Sequence, residues 1–162
     1  MKISRFKKHN SRGALFIEAA LAIPLLLYLI IYMMYFALYM HDYLGLNNLA
    51  RNAVRIAAVN ASNAESGNET TSLANKKTSI KKYVNANAGS EMLLYSIVPS
   101  DSTITVSDKL SGDTGSYLVL RLSAKRAGIP VLVENLIPID IASKMTMYAE
   151  ENLSAGANVT LE

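Results

Sequence analysis

The chain has 162 residues, of which 51% are hydrophobic, with no Cys, no Trp and a formal net charge of +3. Without cysteine there is no disulfide framework, thiol catalysis, thiolate metal site or acylated lipoprotein cysteine. Nor does the positive charge indicate nucleic-acid binding: Lys2, Arg5, Lys7, Lys8 and Arg12 all lie in residues 1–13, and without them 11 basic residues face 13 acidic ones, a net −2.

The first predicted element is a long helix. Ala14 to Met40 is a run of 27 residues whose one charge is Glu18. As a helix it measures about 40 Å, enough to cross a hydrocarbon core of about 30 Å. A removable secretory signal has an apolar core of only about 7–15 residues, so this run reads as an anchor. Basic residues precede it and few follow, which keeps the N-terminus cytoplasmic and exports the C-terminal part. Tyr28, Tyr32, Tyr35 and Tyr39 recur at helical spacing as a packing or interfacial stripe. Beyond Met40 the helical period continues through Leu44, Leu46, Leu49, Ala53, Val54, Ile56 and Ala57, with Arg51 and Arg55 on another face. One helix over about 14–60 is predicted, with a transmembrane half (14–40) and an amphipathic half (41–60) that packs on an exported domain (61–162). Pro24 should kink or locally unwind it.

Residues 60–72 form a polar loop. Thr70, Thr71 or Ser72 would cap a second helix over about 72–87, with Leu73, Ile80, Tyr83 and Val84 on one face. Lys76, Lys77, Lys81 and Lys82 read as a solvated face, with contact to anionic headgroups or a partner as the sharper alternative. After Gly89 the pattern turns to strands. Residues 91–98 are ambiguous, 102–107 alternate, 111–115 are a turn, and 115–127 alternate with Leu118, Leu120, Leu122 and Ala124 on one side. Residues 128–139 carry two prolines and form a connection, and 141–151 are the last strand. The predicted fold class is α+β: the long helix covers a small antiparallel sheet of three or four strands, with one additional helix.

Catalytic patterns are thin. The two histidines, His9 and His41, lie in the leader and at the end of the apolar run, so the exported domain holds neither a His-based triad nor a His-ligated zinc. Asp108 and Asp113 flank a turn without EF-hand spacing, and Glu150 and Glu151 read as surface charges. No phosphate-binding glycine motif is present, and the Asn-x-Ser/Thr sequences at Asn60, Asn68, Asn152 and Asn158 are unspecific. Neither an enzyme activity nor a cofactor or metal is expected.

That leaves Gly13 and Glu18. A carboxylate in a lipid-facing helix costs several kcal/mol unless it is paired or protonated. Glu18, one turn into the run, either sits at the headgroup level or has a partner. Cleavage after Gly13 would create a positive amine on Ala14, four residues or about 6 Å along the helix from Glu18. The amine could belong to the same chain or to a neighbour.

The stretch RGALFIEAALAIPLLL resembles the N-terminus of TadE-like proteins, minor pilins or pseudopilins of the tight-adherence (Tad, or Flp) branch of type IV pilus systems. The resemblance is carried by Arg12, Gly13, Glu18, Pro24 and Leu25–Leu27. Residues 47–59 are similar to the family's Asn/Ala/Arg-rich continuation, and 141–151 resemble its closing strand. The resemblance implies processing by a prepilin peptidase between Gly13 and Ala14, and assembly with other pilin subunits and the Tad inner-membrane machinery. Ala19 departs from the aromatic residue frequent after the Glu. The Glu-Tyr pair of the major Flp pilin is absent and the chain is much longer, which favours a minor component of initiation, tip or structure. The alternative is an uncleaved single-pass envelope protein whose exported domain binds a ligand or scaffolds a complex.

Overall fold

A computed structural model describes residues 11–59, 69–107, 116–126, 128, 134–149 and 156–162. The leader residues 1–10, most of the 60–72 loop, the 111–115 turn and much of the 128–139 connection lie outside the described residues.

Helix α1 is Ser11–Val59, 49 residues with Pro24 inside it. Proline removes one backbone donor, yet the helix runs through it unbroken. Helix α2 is Glu69–Glu91. It begins before Thr70, Thr71 and Ser72, so those residues belong to its first turn rather than its cap, and it continues through Gly89. It runs antiparallel to α1: Lys76 meets Ala57 near one end, and Glu91 lies against Gly45 at the other.

Among the described residues the sheet has five antiparallel strands, β1 (Tyr95–Ile97), β2 (Thr103–Ser107), β3 (Ser116–Arg126), β4 (Asp140–Ala149) and β5 (Asn158–Thr160). β3 is its axis. One edge of β3 pairs with β4 along ten residues, while the other takes β2 at Tyr117–Arg121 and β1 at Ala124–Arg126. β1 and β2 are therefore one interrupted strand, broken by a 3-10 turn at Pro99–Asp101. Ser102 patches the break: its hydroxyl donates to the Val98 carbonyl (2.8 Å) and accepts the Ser123 N–H (3.1 Å).

The expected alternation holds on β3, where Leu118, Leu120, Leu122 and Ala124 are buried. They join Ile104, Val106 and Ile141 beneath Leu46, Leu49, Ala50, Ala53, Val54 and Ala57 of α1, so the second half of the long helix covers the sheet. Leu44, counted with that period, instead points away and is 62% exposed. Leu73, Ile80 and Val84 of α2 complete the core. The sheet contains one strand more than the sequence reading anticipated. β5 follows Gly156, whose φ of 81° is a left-handed conformation that glycine adopts without a Cβ penalty, and it returns the chain alongside β2.

Candidate functional site: the exposed helix and its anchor

The first part of α1 stands clear of the domain. Residues 15–31 are all exposed, Phe16 to 79%. The helix from Leu15 to Val59 is long and apolar enough to cross a membrane, and none of its most apolar 18-residue window is buried. From Tyr32 onward one side begins to be covered. Tyr32, Phe36, Tyr39 and Tyr43 form a ladder with ring centroids 6.1–6.3 Å apart, and Tyr39 reaches Tyr95 of the sheet at 6.3 Å. The tyrosine stripe is thus partly a docking seam, with Tyr28 left outside it at 40% exposure.

Gly13 and Glu18 both lie on the exposed part. A Cβ placed at Gly13 would meet nothing within 4 Å, so no packing within the described residues requires glycine there. Glu18 has no hydrogen bond or ion pair among the described residues. Pro24 is surrounded by exposed apolar side chains, among them Ile23, Leu25, Leu26 and Leu27.

Where the helix meets the domain the chemistry changes. Asp42 is completely buried. Its carboxylate accepts the backbone N–H groups of Leu93 (2.9 Å), Leu94 (2.6 Å) and Tyr95 (2.9 Å), and its Oδ1 lies 3.1 Å from His41 Nδ1. Burial alone would raise its pKa; the Leu93 amide, His41 and the other two amides together outweigh burial and hold it below the usual carboxylate value. The three amides open the segment between α2 and β1, so one side chain of α1 fixes the end of α2 and the start of the sheet. Gly45, one turn on, completes the joint. A Cβ there would run into the Glu91 carbonyl oxygen and come within 3.1 Å of its carbon. Tyr95, packed on Tyr39, donates its hydroxyl to the Pro138 carbonyl (2.6 Å); burial and the neighbouring Tyr39 push its pKa up to about 12. Further along, the buried Ser143 hydroxyl donates to Asn47 Oδ1 (2.7 Å), tying β4 to α1.

The lysine cluster of α2 requires a correction. Lys76 is only 1% exposed and donates to the Ala57 carbonyl at 2.8 Å. A cation there satisfies a carbonyl in the last turn of α1 and complements the negative end of its dipole. Lys81 and Lys82 are exposed, as expected of a solvated face. They precede Glu91 by nine or ten residues, about 14 Å of helix, on the side away from the apolar segment. This leaves the headgroup alternative without geometric support.

Asp42 and Gly45 are the positions that sequence reasoning passed over, and Lys76 is the one it placed on the wrong face. The available signals were an acid and a glycine three residues apart inside an otherwise apolar helical period. Among the described residues no group of three or more His, Asp or Glu side chains is placed to hold a metal.

Residues 13–55 match the family model described as TadE-like protein. No curated protein and no solved structure matches the chain. The match takes in the exposed helix with Glu18 and Pro24 and the Asp42–Gly45 joint, and ends before α2 and the sheet. From Gly13 to Arg55, then, the chain is similar to TadE-like proteins, a likeness consistent with the Tad pilus system.

Proposed function

We propose that the protein is a minor pilin or pseudopilin of a Tad-type pilus, contributing to its initiation, tip or structure. In this reading a prepilin peptidase cuts between Gly13 and Ala14, and residues 14–40 cross the membrane with the N-terminus cytoplasmic and the domain from residue 61 exported. During assembly residues 14–40 pass from lipid into contact with the helices of other subunits. Glu18 pairs with the Ala14 amine of its own chain or a neighbour, which offsets the cost of holding a carboxylate among apolar groups. Pro24 lacks the N–H that would bond to the Ala20 carbonyl and allows the helix to bend there.

The observation that supports this reading best is the contrast along α1. Its second half is buried against α2 and the sheet, whereas its first half, within the TadE-like match, is exposed and apolar and carries an acid with no partner among the described residues. The exported domain then acts through protein contacts. Catalysis is not needed.

N-terminal sequencing and intact mass of protein from native membranes test the reading. A mature start at Ala14 is the expected result. Retention of Met1 in cells with an active peptidase would overturn it and leave an uncleaved envelope protein. Glu18→Ala should insert normally and fail to assemble; unimpaired assembly would refute the pairing role.

A further inference from the structure

The outer face of the sheet, turned away from α1, carries an arrangement that the pilus reading does not use. β3 and β4 pair there in the order Tyr117–Tyr148, Val119–Thr146, Arg121–Lys144, Ser123–Ala142 and Lys125–Asp140. Four of these pairs are compatible: the tyrosines stack edge to face with centroids 5.4 Å apart, and Lys125 faces an acid. Arg121 and Lys144 are two cations directly opposite each other, an arrangement that destabilises a sheet. Both are exposed, and neither has an ion pair or hydrogen bond among the described residues. Lys125, by contrast, is engaged with Asp101 at 3.0 Å.

The surroundings are rich in donors. Thr103 of β2 pairs with Arg121, and Thr160 of β5 pairs with Thr103. Thr160, Thr103, Arg121 and Lys144 therefore form one row across four strands, about 14 Å long at the usual strand spacing. Beside the row is an open depression of about 490 Å³, lined by Arg121, Ser123, Ala142, Lys125, Asp101 and Asp140. Asp140 lies at the Lys125 end, Asp101 is paired with Lys125 and also within electrostatic reach of Arg121, and Lys144 stands beside the depression on the far side of the small Ala142.

We infer that this row binds an oxyanion, a carboxylate or phosphate group of a ligand met on the exported side, held between Arg121 and Lys144. The anion relieves the like-charge contact, and the threonine hydroxyls supply neutral donors along its approach.

The test uses the full-length, isotope-labelled chain in nonionic detergent, titrated at constant ionic strength with inorganic phosphate and, separately, with glucuronate. Saturable NMR shifts centred on Thr103, Arg121 and Lys144 are expected, with Arg121→Gln and Lys144→Gln each weakening binding about fivefold or more and Lys125→Gln less than about twofold. Tighter binding of phosphate assigns a phosphorylated ligand, and tighter binding of glucuronate a carboxylated one. Shifts that do not saturate, or equal weakening by Lys125→Gln, would overturn the site. A second readout needs no ligand. At low salt Lys144→Gln should raise the thermal midpoint by about 1–4 °C, a gain that phosphate removes. An unchanged or lowered midpoint would show that the two cations do not strain the sheet.

Discussion

Replacing Asp42 by Asn tests the joint between the helix and the domain with little change of shape. The carboxylate accepts three backbone N–H groups at 2.6–2.9 Å and is fully buried. Hydrogen bonds to a charged group each contribute about 1.5–3 kcal/mol, and a buried donor left without an acceptor costs about 1–3 kcal/mol. An amide retains one acceptor oxygen and turns an N–H₂ towards donors, so at least one of the three amides loses its partner. A destabilisation of about 2–4 kcal/mol is expected, a large share of the total for a domain of this size. The pH dependence has a fixed sign. Because the folded pKa lies below that of an ordinary aspartate, the carboxylate contributes its stability above the ordinary value and loses it as pH falls through the lower folded pKa. Urea unfolding of both proteins in detergent, followed by circular dichroism, should show the full gap near about pH 6 and a narrowing gap below about pH 3.8. A gap under about 0.5 kcal/mol at neutral pH, or one constant down to strong acid, would refute the anchoring role.

Gly45→Ala should destabilise by about 1–3 kcal/mol, because the added methyl meets the Glu91 backbone and not a side chain that can swing away. Gly13→Leu should leave the thermal midpoint unchanged while abolishing the cut at Ala14, read by midpoint and intact mass together. Lys76→Met retains the buried stem but loses the bond to the Ala57 carbonyl; denaturant unfolding should show a loss of about 1–3 kcal/mol, and Lys81→Met should stay within about 0.5 kcal/mol.

What the sequence made legible is what repeats along it. α1 shows a 3.6-residue period over many turns, and β3 alternates from Leu118 to Ala124, so both could be placed within a few residues. The cover of the sheet followed, since α1 alone offered an unpartnered apolar stripe of sufficient length. What remained illegible depends on contacts between distant segments. The C-terminal end of α2 is set by Asp42 and Gly45, more than forty positions earlier, and no local signal at Gly89 reports them. Lys76 was read as solvated because composition treats a lysine by its charge, whereas the Ala57 carbonyl reaches it from a different helix. β5 has only three residues, too few to establish a period, and its pairing with β2 joins it to a segment far away in the chain.

Like residues on one helix differ in what the fold asks of them. α1 carries two acids and two glycines within the TadE-like match, at positions 13, 18, 42 and 45. The distal pair is explained by the fold itself: Asp42 has four polar partners, and Gly45 makes room for the Glu91 carbonyl. The proximal pair receives no such explanation, because a side chain at position 13 would meet open space and Glu18 stands exposed among apolar neighbours. A carboxylate in an apolar segment is costly, and a glycine in a helix sacrifices about 1 kcal/mol relative to alanine. Two such costs five residues apart, with no return among the described residues, are what a requirement imposed from outside the chain would leave. A peptidase that needs a small residue at the cut and a neighbouring subunit that brings an amine would account for both.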